Sequence, residues 1–356
     1  MTTSYSGYPV REVSGRLGRG FAVTGADGTE LHSDSRRVVQ THPRTTMLGE
    51  TGLEISRVGF GAWAIGGGGW EFGWGPQDDD ESIEAIQLAL ELGVNWIDTA
   101  AAYGFGHSEQ VVGRAIEGLD ARPYVFTKAS LVEGPNGRVV HNLKRDSIMR
   151  EAEASLQRLG VDAIDLYQLH WPIPDADLEE GWSALAELKA DGRVRHIGVS
   201  NVDVEQLRRL EAIAPVETLQ PEYSLVVRGA EENLLPYAAG SALGVIVYSP
   251  MVSGLLTGAM TRERIAGLPD DDWRKRDHRF LEPQLSTNLA MVDRLRTVAD
   301  WQGTTPGAVA VAWTLRNPAV DGAIVGLRSP EQVRTIVDAA NLALDDDDIA
   351  WIEGTV

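Results

Sequence analysis

The chain has 356 residues, 43% of them hydrophobic, which allows one large or two modest domains with a sizeable core. Its formal net charge of −20 argues against nucleic acid and anionic membranes as partners, and no apolar run approaches the roughly 18 residues that cross a bilayer. Cysteine is absent, which excludes disulfides and thiolate metal sites and suits a cytoplasmic protein.

Residues 1–46 differ in composition from the rest of the chain. They are rich in Gly, Ser, Thr and Arg, and they lack the apolar core of about 7–15 residues that a secretory signal needs. We predict a disordered N-terminal extension here, or translation counted from an upstream start with Met47 as the natural one. A transit or regulatory segment is the alternative. Residues 47–356 are predicted to form a single domain.

From Leu48 onward, apolar stretches of strand length alternate with helical patterns, as in the βα units of a parallel sheet. A turn at 49–52 is predicted to belong to a short hairpin at the base. Eight pairs of strand and helix follow: 57–62 and 80–92, 94–98 and 108–118, 123–128 and 146–159, 164–170 and 178–190, 194–199 and 203–213, 216–220 and 231–240, 244–248 and 305–316, and 322–326 and 330–340. No reversal of strand order is indicated, so we predict a closed (β/α)8 TIM barrel rather than an open doubly wound sheet.

Several residues mark the predicted helix boundaries. Ser108 is predicted to N-cap the second helix, and Gly160 and Gly192 stand where C-caps belong. The acidic run 345–348 predicts the N-cap of a last short helix. A further helix, about 287–301, has no strand before it and should pack as an addition to the barrel.

Polar groups and long loops gather at the predicted C-terminal ends of the strands. Loops 64–79 and 250–286 follow strands 1 and 7, on the face where barrels place active sites. Strands of a closed parallel barrel are buried on both faces, so packing alone does not explain polar residues there. Nearly every strand nevertheless finishes in one, or in an aromatic residue or glycine: Asp98, Lys128, His170, Asn201, Gln220, Tyr248 and Gly326.

Four side chains near these strand ends suit the protonation of a carbonyl group. Hydride reduction produces an alkoxide, and a phenol is normally too weak an acid to protonate it near neutral pH. A neighbouring ammonium lowers the pKa of the phenol, a carboxylate holds the ammonium, and an imidazole orients the carbonyl oxygen. We therefore predict Tyr103 as general acid/base, Lys128 as its activator, Asp98 as the partner of Lys128, and His170 as the carbonyl orienter. Taken singly, each also has a structural explanation, as a cap, a surface aromatic, a surface lysine or a core histidine.

The motifs together resemble the aldo-keto reductase superfamily over roughly residues 47–345. Asp98, Tyr103, Lys128 and the segment 166–172 look like its catalytic tetrad. Segments similar to its cofactor-binding stretches follow in the same order, at 198–201, 220–223, 248–251 and 324–329.

The resemblance implies a nicotinamide cofactor, and no Gly-x-Gly-x-x-Gly motif follows a strand as a Rossmann site would require. Ser200, Asn201 and Gln220 would hold the carboxamide, and Tyr248 would stack on the ring. The remaining implied contacts, most of them to the pyrophosphate, are Ser249, Pro250, Met251, Ser253, Gly254, Leu255 and Gly326.

The adenosine end of the cofactor is where the resemblance is least regular. Arg328 and Ser329, which open the last barrel helix, would meet a 2′-phosphate, and Gln332 would lie near the adenosine. Thr335 and Ile336 stand where the family commonly has a Glu-Asn pair. NADPH is the predicted cofactor, and NADH stays open.

The substrate pocket is predicted to be walled by Trp63, Phe105 and Trp171, with Trp70 or Trp74 beside them. Apolar walls suit aldehydes and ketones with carbon-rich bodies, and no residue spacing indicates a metal site. We therefore predict an NADPH-dependent reductase of an aldehyde or ketone. Two alternatives remain: an NAD-dependent polyol or sugar dehydrogenase, and a nucleotide-binding regulatory subunit with little turnover. Oligomeric state and substrate are left open.

Overall fold

The structure is a computed structural model that describes residues 42–270 and 272–355, together with two short strands, Val23–Thr24 (β1) and Glu30–Leu31 (β2). β1 and β2 pair antiparallel. The prediction of a disordered extension over 1–46 falls almost wholly outside the described residues and stays a prediction. The last two residues of that predicted extension, 45 and 46, belong to the strand Thr45–Met47 (β3), which pairs antiparallel with Glu54–Ser56 (β4).

Ten further strands follow in the described part of the chain: Val58–Gly61 (β5), Trp96–Asp98 (β6), Tyr124–Ala129 (β7), Leu131–Glu133 (β8), Val139–His141 (β9), Ile164–Leu169 (β10), Val194–Ser200 (β11), Thr218–Gln220 (β12), Gly244–Val247 (β13) and Gly322–Gly326 (β14). All except the β8–β9 hairpin close into an eight-stranded parallel barrel. The ring is completed where β14 pairs with β5, with Gly326 opposite Gly61. The predicted (β/α)8 TIM barrel is therefore confirmed.

The helices lie between the strands, and their apolar faces pack against the outside of the barrel. They are Asp79–Glu91 (α1), His107–Ile116 (α2), Arg145–Leu159 (α3), Leu178–Ala190 (α4), Val204–Glu211 (α5), Leu234–Gly240 (α6), Arg262–Ala266 (α7), Gln284–Gln302 (α8), Pro306–Leu315 (α9), Pro330–Ile336 (α10) and Asp346–Glu353 (α11). None of these helices combines the length and the apolar composition that a bilayer crossing requires.

The hairpin β3–β4 closes the lower end of the barrel, as the turn at 49–52 predicted. Its apolar side chains Leu48, Leu53 and Ile55 join a buried cluster inside the barrel with Trp96 and other strand residues. Gly59 is required beside them, because a Cβ there would lie 2.2 Å from the Trp96 ring. With its base filled, the barrel is left open at the C-terminal ends of its strands.

The capping predictions have mixed outcomes. Gly160 ends α3 with a φ of 66°, and Asp345 caps α11 through a reciprocal pair of bonds with Asp348, both as expected. The prediction for Ser108 is wrong, because α2 begins one residue earlier, after Gly106 with a φ of 100°. The Ser108 hydroxyl is instead buried and donates to the Ala62 carbonyl oxygen.

Two irregular regions on the open face differ from expectation. The β8–β9 hairpin, between β7 and α3, was not predicted. The loop after β13 is more structured than a charged loop suggests, since its described residues contain α7 and single 3-10 turns at Leu255–Thr257, Trp273–Lys275 and His278–Phe280. Short helical turns capped by aspartates let a long segment satisfy its own backbone groups.

Candidate active site

The predicted catalytic side chains meet at the open end of the barrel. Asp98 is the last residue of β6, Lys128 is the penultimate residue of β7, and His170 directly follows β10. Tyr103 lies in the turn between β6 and α2. Because parallel strands of a barrel end on one face, residues distant in the chain become neighbours there.

Lys128 is the centre of this group and is 1% exposed. Its Nζ donates to Asp98 Oδ1 at 2.5 Å, to the Thr99 carbonyl oxygen at 2.9 Å and to the Tyr103 hydroxyl at 3.2 Å. These three acceptors use all three protons of an ammonium group. The ammonium is therefore fully paired and pointed at the phenol.

The second oxygen of Asp98 is also occupied, which sequence reasoning missed. Gln220 Nε2 donates to Asp98 Oδ2 at 2.9 Å and lies 3.2 Å from Gln168 Oε1, which also accepts from it. Gln168 is fully buried in β10, directly opposite Lys128 in the strand register. A glutamine two residues before the predicted histidine, in an otherwise apolar strand, was the signal available in the sequence.

The pKa of Tyr103 is raised in this structure. Burial of the hydroxyl raises it, and the neighbouring Lys128 ammonium acts in the opposite direction without overcoming the desolvation. The expectation that Lys128 favours the phenolate thus holds for its own contribution, and the net direction is the reverse. Burial also acts to lower the pKa of Lys128, but Asp98 and Tyr103 outweigh it and raise that pKa. Both shifts favour the protonated forms, so a neutral phenol lies beside a charged ammonium group.

His170 faces Tyr103 edge-on, with 5.7 Å between the ring centroids. Burial, the Lys128 ammonium and His141 together hold the pKa of His170 well below its usual range. A neutral imidazole carries one N–H donor and one acceptor, so it can donate to an oxygen without carrying a charge.

The residues predicted to hold the nicotinamide form a chain of hydrogen bonds beside this group. Tyr248 donates its hydroxyl proton to Asn201 Oδ1 at 2.7 Å, and Asn201 Nδ2 donates to the His170 carbonyl oxygen at 2.9 Å. Ser200 Oγ donates to the Gln220 carbonyl oxygen at 2.7 Å. Asn201 has a φ of 60°, a left-handed conformation that asparagine tolerates. The four predicted residues are therefore contiguous.

The segment after β13 and the N-terminus of α10 form a second part of the predicted cofactor site. Ser249, Ser253 and Gly254 have positive φ values, which fold the segment 249–255 into tight turns. Arg328 lies half-buried before α10, where Ser329 is the N-cap. Its guanidinium donates to two neutral oxygens, Gln77 Oε1 at 2.6 Å and the Pro76 carbonyl oxygen at 3.0 Å.

The surroundings of Arg328 fit an anion. Burial and the positive charge of Arg274 both lower the pKa of Arg328, and Glu81 acts in the opposite direction without overcoming them. The two guanidinium groups therefore repel each other. An approaching phosphate would relieve that repulsion and could accept bidentate hydrogen bonds. Gln332, predicted near the adenosine, accepts the Arg328 backbone N–H at 2.9 Å. The residues present thus fit the phosphate-bearing end of a nicotinamide dinucleotide.

The predicted aromatic wall divides into separate groups. Trp70 lies nearest the phenol, with ring centroids 6.2 Å from Tyr103 and 6.4 Å from Phe105. Trp63 packs instead with Trp74 and stacks on Trp273, at 5.5 and 5.8 Å. Trp273, from the loop after β13, was not predicted. Trp171, also predicted as a wall residue, directly follows His170 and is 37% exposed at the mouth of the barrel.

Comparisons with known proteins identify the family to which this chain belongs. The family model described as the aldo/keto reductase family matches residues 57–356. The chain is 40% identical over 306 residues to aldo-keto reductase YhdN of Bacillus subtilis (strain 168), covering 85% of this chain and 90% of that protein. It is 36% identical to the NADH-specific methylglyoxal reductase of Escherichia coli (strain K12), covering 85% and 94%.

A solved structure shows the same architecture. The glycerol dehydrogenase AKR11B4 from Gluconobacter oxydans superposes with a TM-score of 0.79 at 37% identity, over 87% of this chain and 94% of that one. The barrel fold, the family model and the relatives all indicate the same family. The chain belongs to the aldo/keto reductase family, whose members are oxidoreductases that act with nicotinamide cofactors.

Proposed function

We propose that this protein reduces an aldehyde or ketone to an alcohol with NADPH, using Tyr103 as general acid/base. The proposal rests chiefly on one observation: the buried Lys128 Nζ bridges Asp98 Oδ1 at 2.5 Å and the Tyr103 hydroxyl at 3.2 Å. A buried ion pair contributes little net stability, so its placement against a phenol is better explained by chemistry than by packing.

Each of the four side chains has a distinct role in the proposed reaction. The Tyr103 O–H protonates the oxygen of the carbonyl as negative charge develops on it. Lys128 stabilises the phenolate that remains, and Asp98 keeps the ammonium in place. Neutral His170 donates a hydrogen bond to the same oxygen and fixes the orientation of the carbonyl. The groups titrate as a coupled set, because Lys128 contacts both Asp98 and Tyr103.

The cofactor would be held by the residues that lie beside these groups. Gln220, Asn201 and Ser200 would bind the nicotinamide carboxamide, with Tyr248 against the ring. The pyrophosphate would lie along Ser249, Met251, Ser253, Gly254 and Leu255, with Pro250 and Gly326 as further cofactor contacts. The adenosine end would meet Arg328, Ser329 and Gln332. When bound, the cofactor supplies the hydride.

The choice between NADPH and NADH depends on Arg328. Its guanidinium, next to Arg274, supports binding of a 2′-phosphate and hence NADPH. The name of the Escherichia coli relative, an NADH-specific methylglyoxal reductase, keeps NADH as the alternative. A comparison of kcat/KM for the two cofactors decides between them.

The substrate would enter between the aromatic side chains at the mouth. Phe105 and Trp70 lie on the Tyr103 side, Trp171 lies on the His170 side, and Trp63 lies with Trp74 in the loop after β5. Such walls support a small carbonyl compound with an apolar body as substrate. We also propose the cytoplasm as the location of the protein, which a chain without cysteine suits.

The test is oxidation of NADPH and NADH against a panel of aldehydes and ketones by wild-type protein and the Tyr103→Phe variant. The variant should bind cofactor normally and lose about 10²–10⁴-fold in kcat, because it lacks the proton donor. Tyr237→Phe is the matched control: it removes a hydroxyl bonded to Glu211 on the outside of the barrel and should turn over normally. Similar turnover in Tyr103→Phe and wild type contradicts the assignment.

A second candidate function is oxidation of a polyol, which the likeness to a glycerol dehydrogenase supports. The same four residues serve both directions, with the phenolate as base for the alcohol proton. Rates of NADP⁺ and NAD⁺ reduction with glycerol and other polyols, compared with rates of carbonyl reduction, separate the two. Cofactor binding without turnover in either direction would favour a regulatory binding subunit.

A further inference from the structure

Glu151 is a buried carboxyl group outside the site described above. It lies on α3, is 9% exposed, and faces the outer surface of the barrel between β7 and β10. Arg158, a partly buried cation of the same helix, is not its partner, because Arg158 Nε donates to Glu109 Oε2 at 2.6 Å. A buried carboxylate without a cation costs stability, so packing does not favour an acid at this position.

Both oxygens of Glu151 accept hydrogen bonds from neutral groups. Oε1 accepts from Ser147 Oγ, one turn earlier on α3, at 3.0 Å. Oε2 accepts from the backbone N–H of Ser130 at 3.0 Å. The second bond connects the outer layer of helices to the residue that directly follows β7.

Ser130 joins three segments at the rim of the active site. It is fully buried and has a φ of 85°, a conformation that residues other than glycine rarely adopt. Its Oγ lies 3.3 Å from both the backbone nitrogen and the carbonyl oxygen of Trp171, and its own carbonyl oxygen accepts from Asn142 N–H at 2.8 Å. Ser130 therefore connects the chain just after Lys128 to the chain just after His170 and His141.

We propose that Glu151 is a positioning residue: by holding the Ser130 amide from outside the barrel, it fixes the rim segments that carry Lys128 and His170 at their working separation. The His170 N–H donates to the Ala129 carbonyl oxygen at 3.0 Å, so a shift of Ser130 is passed to the histidine through its immediate neighbour. The proposal rests on the function proposed above. Small displacements of catalytic groups have large effects on rate, because the reacting atoms must be aligned.

The ionisation of Glu151 gives this link a dependence on pH. Burial raises its pKa to about 7, against the opposing effect of its hydrogen bonds with Ser147 and Ser130. The charged and titratable groups around it are Glu109 on α2, Arg150 and Arg158 on α3, and Tyr167 on β10. A carboxylate accepts a shorter and stronger hydrogen bond than a carboxylic acid does, so the hold on Ser130 tightens as pH rises through 7.

The first test is the pH profile of carbonyl reduction by wild-type protein, Glu151→Gln and Glu151→Ala. We expect Glu151→Ala to lose about tenfold in kcat with an unchanged cofactor Kd, because the reacting groups are misaligned. Glu151→Gln keeps an acceptor for Ser130 and should recover most of the rate, but without the ionisation near pH 7. Glu153→Gln, an exposed acid on the same helix, is the matched control and should match wild type.

The second test does not need turnover. Hydrogen–deuterium exchange at a single pH should be faster in Glu151→Ala than in wild type over peptides spanning 128–142 and 170–174, and close to wild type in Glu151→Gln. Should Glu151→Ala fail to fold, Ser147→Ala, which removes one bond to the carboxyl group, replaces it in both tests. Unchanged exchange together with an unchanged pH profile overturns the proposal. Absence of turnover in the wild type, with the exchange difference present, contradicts the proposed function alone.

Discussion

The two oxygens of Asp98 show how single atoms set the chemistry of this site. One accepts from Lys128 and the other from Gln220, so each oxygen has its own donor inside the barrel. An asparagine could accept on only one side, and its amide would face a donor on the other. Breaking a buried pair of this kind typically costs about 3–5 kcal/mol, because a charge is left without compensation. Gln220 therefore contributes to the ion pair as well as to the proposed cofactor site.

Glu151 provides a prediction about stability at the same scale. Its pKa is raised from 4.5 to about 7, so between these values the folded protein keeps a proton that the unfolded chain has released. The retained proton stabilises the folded state fully below about pH 4.5, and this stabilisation is lost as pH rises through 7. The free energy of unfolding changes by about 3 kcal/mol over that range.

The Glu151→Gln variant has no carboxyl group to titrate at this position, so it should lack this dependence of stability on pH. The free energy of unfolding of the variant, relative to wild type, should rise by about 2–3 kcal/mol between pH 5 and pH 8. Urea unfolding at the two pH values measures the difference, with Glu153→Gln as the exposed control. A difference that does not change with pH would show that Glu151 does not titrate in this range.

At the scale of elements, the two long loops on the open face contact each other through aromatic rings. Trp63 and Trp74 come from the loop after β5, and Trp273 and Arg274 come from the loop after β13. Trp273 stacks on Trp63, and the Arg274 guanidinium lies 4.6 Å from the Trp74 ring. Arg274 also pairs with Asp272, which caps the 3-10 turn that carries it. The second loop is thus attached to the first beside Arg328.

Trp273→Ala should loosen this attachment. An aromatic pair contributes about 0.5–1.5 kcal/mol beyond its buried area, so the variant loop should open more often without unfolding the barrel. We expect faster tryptic cleavage at the arginines of 262–279 and a cofactor Kd weaker by about threefold to tenfold. Trp301→Ala, on the exposed side of α8 at 57% exposure, is the control. Equal cleavage rates in the two variants would contradict a role for the stack.

At the scale of the whole molecule, some of the residues that precede β3 make contacts with the barrel. The compact unit that contains the barrel spans Thr41–Val356. The Arg44 backbone N–H donates to Asn341 Oδ1, and Asn341 Nδ2 donates to the His42 carbonyl oxygen. His42 and Pro43 also lie against Gly93, where a Cβ would come within 2.6 Å of the histidine ring. Residues 42–46 therefore belong to the packing of the barrel.

Two truncations test where the barrel begins. A chain starting at Thr41 keeps β3 and the bonds to Asn341, so it is the reference for stability and for kcat/KM. A chain starting at Met47 loses most of β3 and the bonds to Asn341, and should be less stable by about 2–4 kcal/mol. Equal stability of the two truncated chains would show that Met47 is a sufficient start.

Much of the architecture followed from the sequence alone. The alternation of apolar strands and amphipathic helices predicted the closed barrel, because each βα unit has its own local period. The polar residues at strand ends predicted where Asp98, Lys128 and His170 would meet, since parallel strands end together. Gly160 and Asp345 marked helix ends through chemistry that acts within one turn.

Other features were decided only by tertiary structure. Ser108 and Glu151 lie on helices whose pattern is ordinary, and their partners, Ala62 and Ser130, are far from them in the chain. The stack of Trp273 on Trp63 joins two loops that are six barrel strands apart along the chain. The raised pKa of Tyr103 results from desolvation and the Asp98 charge, which outweigh the opposing effect of Lys128. Local periodicity reports which face of an element is buried, whereas partners, distances and desolvation exist only once separate elements are packed together.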